Sequence, residues 1–389
     1  MLERDSIAYF DLRGEIEPYL ADLEAAAVRV IQSGRYLRGD EVARFERDFS
    51  RRIGRGEAVA CANGLDALRL GLHALRIGPG DEVIVPALTF VATASAVLLA
   101  GATPVVVDVE PGTLLLDRRK VADAISARTR AVIPVHIFGQ MADVERLQST
   151  LQSIGSVAEI LEDAAQAHLA TLAGRTPGEG TAGACYSFYP GKNLGALGDA
   201  GAFLSDRSAY INDARCFANY GAAAPYQHDQ VGINSRMDEI QAAFLSVRIL
   251  HLEQETRGRR AVAARYLEAF SGISEIETLE VDAMSDPVWH VFPVRIRGAR
   301  RGSTSSRQKR DCLIRKLKEH GICAQIHYPY TLRDVPALQG CTRAPGPVPN
   351  AEAAAATLIS LPIYGSMCQR DVERVIDVLV EVVAEIGDS

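Results

Sequence analysis

The chain has 389 residues, 48% of them hydrophobic, which is enough to bury a large core and suggests two domains. A net charge of −7 without a basic stripe argues against nucleic acid or an anionic membrane as partner. The longest apolar run, around Val91 to Ala102, is too short to span a bilayer, and Met1-Leu2-Glu3-Arg4-Asp5 is not a signal peptide. Seven scattered cysteines with no Cys-x-x-Cys pair point to free thiols in a reducing cytoplasm and away from a zinc site or a disulfide frame.

From about residue 58, helical and strand-like patterns alternate. The periodicity predicts helices over 65–75, 90–99, 118–126 and 141–154, and strands over 82–86, 103–109, 130–135 and 157–161. Such alternation indicates an α/β fold with a mostly parallel, helix-covered sheet. The fully apolar Val83-Ile84-Val85 and Val105-Val106-Val107 fit strands buried on both faces. Cys185-Tyr186-Ser187-Phe188 is strand-like, and 200–205 reads as one more strand. A long helical stretch over 237–270 follows, with Ile240, Phe244 and Val247 at helical spacing. Beyond about 271, strands at 291–296 and 322–326 mix with helices at 307–320 and 369–386. The expected division is a large domain over 1–250, then the long linking helix and a small α+β domain over 251–389.

One lysine stands out by its company. Lys192 lies in Ser187-Phe188-Tyr189-Pro190-Gly191-Lys192-Asn193-Leu194-Gly195, after an aromatic strand. A loop lysine is ordinarily a solvated charge, and such a charge has no need of this setting. Upstream, Glu162-Asp163-Ala164-Ala165-Gln166 follows an apolar strand. An amine that can form a Schiff base and a carboxylate that can hold a protonated ring nitrogen are the two groups a pyridoxal phosphate (PLP) enzyme most needs. Asn63-Gly64-Leu65-Asp66 sits where a loop enters a helix. It reads as a plain N-cap or as a phosphate cradle, because free N–H groups and the helix dipole favour an anion there. Gly178-Glu179-Gly180-Thr181-Ala182-Gly183 matches a dinucleotide fingerprint only by letter, since it precedes a strand and not a helix. No Walker-type loop is present, Gly78-Pro79-Gly80-Asp81 reads as a turn, and His327-Tyr328-Pro329 and Pro134-Val135-His136 are ambiguous taken alone.

Taken in order, these pieces resemble the DegT/DnrJ/EryC1/StrS family of sugar aminotransferases, within the fold-type-I PLP enzymes. The likeness runs from Ser33-Gly34-Arg35-Tyr36-Leu37-Arg38-Gly39 through Thr89-Phe90-Val91-Ala92-Thr93, the Asp163 and Lys192 segments and Gly232-Ile233-Asn234-Ser235-Arg236-Met237, to His327-Tyr328-Pro329 and Leu361-Pro362. It implies a seven-stranded, mostly parallel sheet. It also implies that Lys192 carries the cofactor and shuttles a proton, that Asp163 pairs with the ring nitrogen, and that Gln166 bonds the ring's phenolic oxygen. By the same resemblance Phe90 would stack on the ring, and the Gly64 and Leu65 amides with the Ser187 hydroxyl would hold the phosphate. Asn234 would reach that phosphate from the second subunit of a homodimer. His327 and Tyr328 would face the substrate. Arg236 and Arg333 are candidate cations for a sugar diphosphate, because a guanidinium can grip phosphate oxygens bidentately, and Arg333 reads equally as an exposed loop arginine.

Two departures stand out: Leu65 where most relatives have Thr, and Arg333 where a second histidine is usual. The implied reaction moves an amino group from glutamate to a nucleotide-linked keto sugar (dTDP or UDP), a 3-keto-(6-deoxy)hexose. The alternatives are a 4-keto substrate, a PLP- or PMP-dependent sugar dehydratase, which would replace the lysine with histidine, and a non-catalytic regulator, which would lose Lys192, Asp163 or Gln166.

Overall fold

A computed structural model describes residues 6–296 and 304–387. Its centre is a seven-stranded sheet. In chain order the strands are β1 (Glu57–Cys61), β2 (Glu82–Pro86), β3 (Thr103–Val107), β4 (Thr129–Val132), β5 (Glu159–Asp163), β6 (Gly183–Ser187) and β7 (Gly201–Ser205), and in space they lie β1-β7-β6-β5-β4-β2-β3. Only β7 runs against its neighbours. Val83, Ile84, Val85, Val105 and Val106 are wholly buried, as double-faced parallel strands require.

The first strand went unforeseen. Glu57-Ala58-Val59-Ala60-Cys61 is too rich in alanine to signal a strand, and its pairing with β7, Val59 opposite Phe203, supplies what propensity lacks. Two crossover helices matter for the site: α1 (Gly64–Ala74) after β1, and α2 (Ala92–Leu99) after β2.

The helical stretch over 237–270 is not continuous. It divides into α3 (Glu239–Arg248) and α4 (Leu252–Phe270). No Gly or Pro breaks it; tertiary contacts do. Arg248 reaches out to the Gly195 carbonyl (2.8 Å), and His251 stacks on Tyr19 at 4.4 Å.

The strand expected over 322–326 is absent. Ile322 makes one bridge to Ile7, and Gln325 one bridge to Ser360. This segment is wedged between two different partners and completes a ladder with neither. A three-stranded antiparallel sheet does form nearby, from β8 (Ile276–Thr278), β9 (Phe292–Ile296) and β10 (Leu358–Leu361). It packs on α4, α5 (Thr304–Glu319) and α6 (Gln369–Gly387) through Tyr266, Phe292, Leu317 and Leu379. Ile7 joins this second core from the other end of the chain, whereas Leu332, Val348 and Ala354 join the core of the large sheet.

Candidate active site

The parallel strands β2, β5 and β6 deliver their C-terminal ends to one crevice, the usual ligand position in such sheets. Strand alternation sends the two acids at the end of β5 to opposite faces. Glu162 turns to the structural side. It accepts hydrogen bonds from Thr181 Oγ1 (2.7 Å), the Gly178 amide (2.9 Å) and His136 Nε2 (2.8 Å). His136 Nδ1 accepts from the Ala142 amide (3.0 Å), so Nε2 carries the proton.

Asp163 turns to the crevice. It is buried, accepting from Thr93 Oγ1 on α2 (2.8 Å) and the Ala165 amide (3.2 Å). Burial pushes its pKa up, while hydrogen bonds from Thr93 and Ala165 and the nearby Lys192 amine pull against the shift. Its hydrogen-bond partners are a hydroxyl and an amide, neither of them a cation. A carboxylate in that state fits a ligand that brings an N–H⁺.

Lys192 follows β6, and its amide closes a turn on the Tyr189 carbonyl (2.8 Å). Burial lowers its pKa to about 8, with Asp163 acting in the opposite sense. The loop's composition has local causes. A Cβ at Gly195 would lie 2.3 Å from the Pro190 oxygen. The Asn193 amide, 2% exposed, donates to the Val288 carbonyl (2.9 Å). Asn193, Arg248 and Thr93 were not picked out as site residues from sequence. Thr93 bonds Asp163, Asn193 follows Lys192 in sequence, and Arg248 bonds the Gly195 carbonyl of the lysine segment; only the proximity of Thr93 to Phe90 and of Asn193 to Lys192 could have been read from sequence.

Gln166 accepts from the Phe138 amide and donates one Nε2 hydrogen to the Tyr328 hydroxyl (3.1 Å), which leaves a second hydrogen. Phe90 is 56% exposed, with its ring 5.8 Å from that of Tyr328. An aromatic face so exposed fits a flat ring laid over it. His327 Nδ1 lies 3.0 Å from Ser360 Oγ and 3.4 Å from the Tyr9 hydroxyl, and burial lowers its pKa to about 4.

The anion cradle is built by close approach. Asn63 caps α1 by accepting from the Asp66 amide (2.9 Å). A Cβ on Gly64 would stand 2.7 Å from Ser187 Cβ, and one on Gly201 would stand 2.9 Å from the Gly64 nitrogen. Glycine at both positions lets the first turn of α1 slot between β6 and β7. The Gly64 and Leu65 amides have no intrahelical acceptor there, and the Ser187 hydroxyl stands beside them. The Leu65 side chain packs on the core, so this position offers its backbone alone.

The remaining candidates lie apart. Ser235 Oγ accepts from the Ala62 amide (3.2 Å), which sets residues 232–236 against the start of the cradle loop of the same chain. Asn234 is exposed. Arg236 holds its guanidinium over the Tyr220 ring (5.7 Å), and its buried Nε has no partner among the described residues. With Arg38, Asn219 and Arg215 it lines a cavity of about 230 Å³. Arg333 is exposed and makes one long contact to the Gly346 carbonyl (3.4 Å). A bond from the Leu332 amide to Ala87 (2.8 Å) places its loop at the end of β2.

An amine of lowered pKa, a buried carboxylate, an open aromatic face and an anion cradle at parallel strand ends are the parts of a fold-type-I PLP enzyme. Residues 20–380 match the profile of the DegT/DnrJ/EryC1/StrS aminotransferase family, and the chain belongs to that family. It is similar to a dTDP-3-amino-3,4,6-trideoxy-alpha-D-glucose transaminase of Streptomyces venezuelae, 40% identical over 97% of this chain and 97% of that one. Its fold matches S. venezuelae DesV in complex with a ketimine intermediate, with a TM-score of 0.91 and 40% identity over 97% of this chain and 98% of that one. It also matches ntda of Bacillus subtilis with bound cofactor PMP, with a TM-score of 0.87 and 27% identity over 99% of this chain and 87% of that one. The cofactor of this aminotransferase is pyridoxal phosphate.

Proposed function

We propose that the chain transfers an amino group from glutamate to C-3 of a nucleotide-linked 3-keto-(6-deoxy)hexose, carried on dTDP or UDP. One observation carries this reading: Lys192, Asp163 and the Gly64–Ser187 cradle converge on one crevice in a chain 40% identical to a relative named for a dTDP-linked 3-amino sugar. Bound there, the cofactor supplies an electron sink for exchanging an amine and a carbonyl.

The residues themselves position it and move protons. Asp163 holds a proton on the ring nitrogen. Phe90 covers one ring face, a contact worth about 0.5–1.5 kcal/mol beyond burial. Gln166 offers its second N–H to the phenolic oxygen. The Gly64 and Leu65 amides with the Ser187 hydroxyl grip the phosphate. Lys192 carries the cofactor when resting, and its amine, with a pKa of about 8, can take up and return a proton near neutral pH. His327 is neutral there and Tyr328 keeps its phenol proton, because burial disfavours both charged forms. They meet the sugar with hydrogen bonds. Arg236, which lines a cavity with Arg38 and Arg215, meets the diphosphate through its guanidinium. Arg333 stands at the outer edge of the substrate mouth.

The active unit is a homodimer in which Asn234 reaches the partner's phosphate. Support comes from exposed Tyr226, Val231 and Leu37 around that segment, an apolar surface a second copy would cover. The division into domains near residue 250 and a cytoplasmic setting belong to the same reading; among the described residues no helix is long and apolar enough to cross a membrane. Paired 3-keto and 4-keto sugars on dTDP and UDP, with glutamate and mass-spectrometric detection, test the substrate. Amination of the 3-keto sugar is expected. Turnover of the 4-keto sugar alone would overturn the C-3 assignment.

A further inference from the structure

The two neighbours of Lys192 in sequence are held by one pair of rings. Asn193 follows it, buried, with both ends of its amide engaged. The Val288 carbonyl can only accept, so the NH₂ faces Val288 (2.9 Å) and Oδ1 faces His290 Nδ1 (3.2 Å). Oδ1 can only accept in turn, so the proton of His290 sits on Nδ1. Deep burial among Lys192, Arg259, His327 and His168 pushes the imidazole pKa well below its usual value, which excludes a second proton and leaves one tautomer. Gly191 precedes Lys192. A Cβ there would stand 3.2 Å from Phe10 Cε2, so the Phe10 ring lies against that backbone. Phe10 and His290 stack on each other, with centroids 5.8 Å apart and planes 21° apart.

We propose that His290 is a positioning residue for Lys192, its Nδ1–H locking Asn193 and, with Phe10, fixing the backbone from which the lysine projects. His290 lies two residues before β9, and the Val288 amide bonds the Gly139 carbonyl (3.0 Å). The lysine loop is thereby tied to the chain that leads into the smaller sheet. Small misplacements of a reacting group are expensive, up to about 100-fold for roughly 1 Å.

The proposal rests on Lys192 carrying the cofactor, which borohydride reduction and peptide mapping of the wild type test separately. The informative measurements are the rate at which cofactor-free protein captures added pyridoxal phosphate, read by absorbance, and kcat and KM determined apart. His290→Phe keeps a ring against Phe10 and removes the donor. Capture and kcat should fall about 10- to 100-fold with KM changed less than about threefold. His290→Asn, which offers an N–H near the position of Nδ1, should restore both to within about threefold. Asn193→Ala should match His290→Phe, and the double variant should be no worse than either single, as expected of one linked unit. Near-wild-type capture and kcat in His290→Phe, or additive losses in the double variant, would overturn the proposal. If His290→Phe does not fold, His290→Asn and His290→Gln decide: a better Asn variant supports it, and equal behaviour refutes it.

Discussion

The floor of the crevice and its rim are built differently. On the floor, Asp163 and Ser187 sit buried at strand ends and the half-buried Gly64 turn opens a helix, with backbone amides and hydroxyls as neighbours. The rim residues lie outside that floor: Asn234 and Arg333 are exposed, and Arg236, which lines a separate cavity with Arg38, Asn219 and Arg215, has a buried nitrogen with no partner among the described residues. Floor positions are set by the direction of the parallel strands and by the helix that follows β1. Under the proposed function, the substrate or a second copy would complete the rim positions.

If that contrast is right, floor substitutions should act on the chemistry and rim substitutions on binding. Lys192→Ala should have the largest effect, a loss of about 10⁴-fold in turnover, the upper range for a removed acid–base group. It should still bind pyridoxal phosphate without a covalent link. Borohydride labelling of another lysine in the wild type would break the assignment. Next comes Asp163→Asn, which keeps the shape and removes the charge. Its kcat should fall about 10²- to 10³-fold, the range for losing a preorganised electrostatic group. Unaltered kcat would mean that the ring nitrogen is held elsewhere.

A pH test sharpens the floor further. The unprotonated amine is the species that captures cofactor, so capture by cofactor-free protein should rise about tenfold per pH unit at lower pH. It should level off near the Lys192 pKa of about 8. Levelling near the ordinary lysine value instead would mean the amine is solvated.

At the rim, Arg236→Ala should raise KM about 10- to 100-fold with little change in kcat, the signature of a charged hydrogen bond uniform between ground and transition states. Mixing and refolding Lys192→Ala with Asn234→Ala protein should recover part of the activity if sites are shared between chains. Hybrid dimers that form yet remain inactive would count against it. Arg333→Ala should do least, less than about a threefold change in KM, because its one contact is long and solvent-facing.

The floor was legible because its requirements are local. A glycine where β6 meets α1, an acid at a strand end and a lysine among Pro and Gly each leave a mark within a few residues. The gaps in the reading are nonlocal. β1 needed β7 beside it, and the end of α3 needed Gly195 and Tyr19. His290 lies 97 residues from the Asn193 it holds, and no periodicity in either segment points to the other.

By itself, then, the order of residues determined the alternating α/β class and the parallel core strands, and it singled out the lysine and carboxylate that the fold brings to one crevice. Hydrophobic period and turn chemistry act over a few residues and survive being read in one dimension. Tertiary structure alone decided which face each acid of the Glu162–Asp163 pair takes, where the long helix divides and what fails to pair at 322–326. It also decided that Phe10 and His290 close on the lysine loop. Those outcomes depend on contacts between segments far apart in the chain, where burial and unmet hydrogen-bonding groups outweigh local preference.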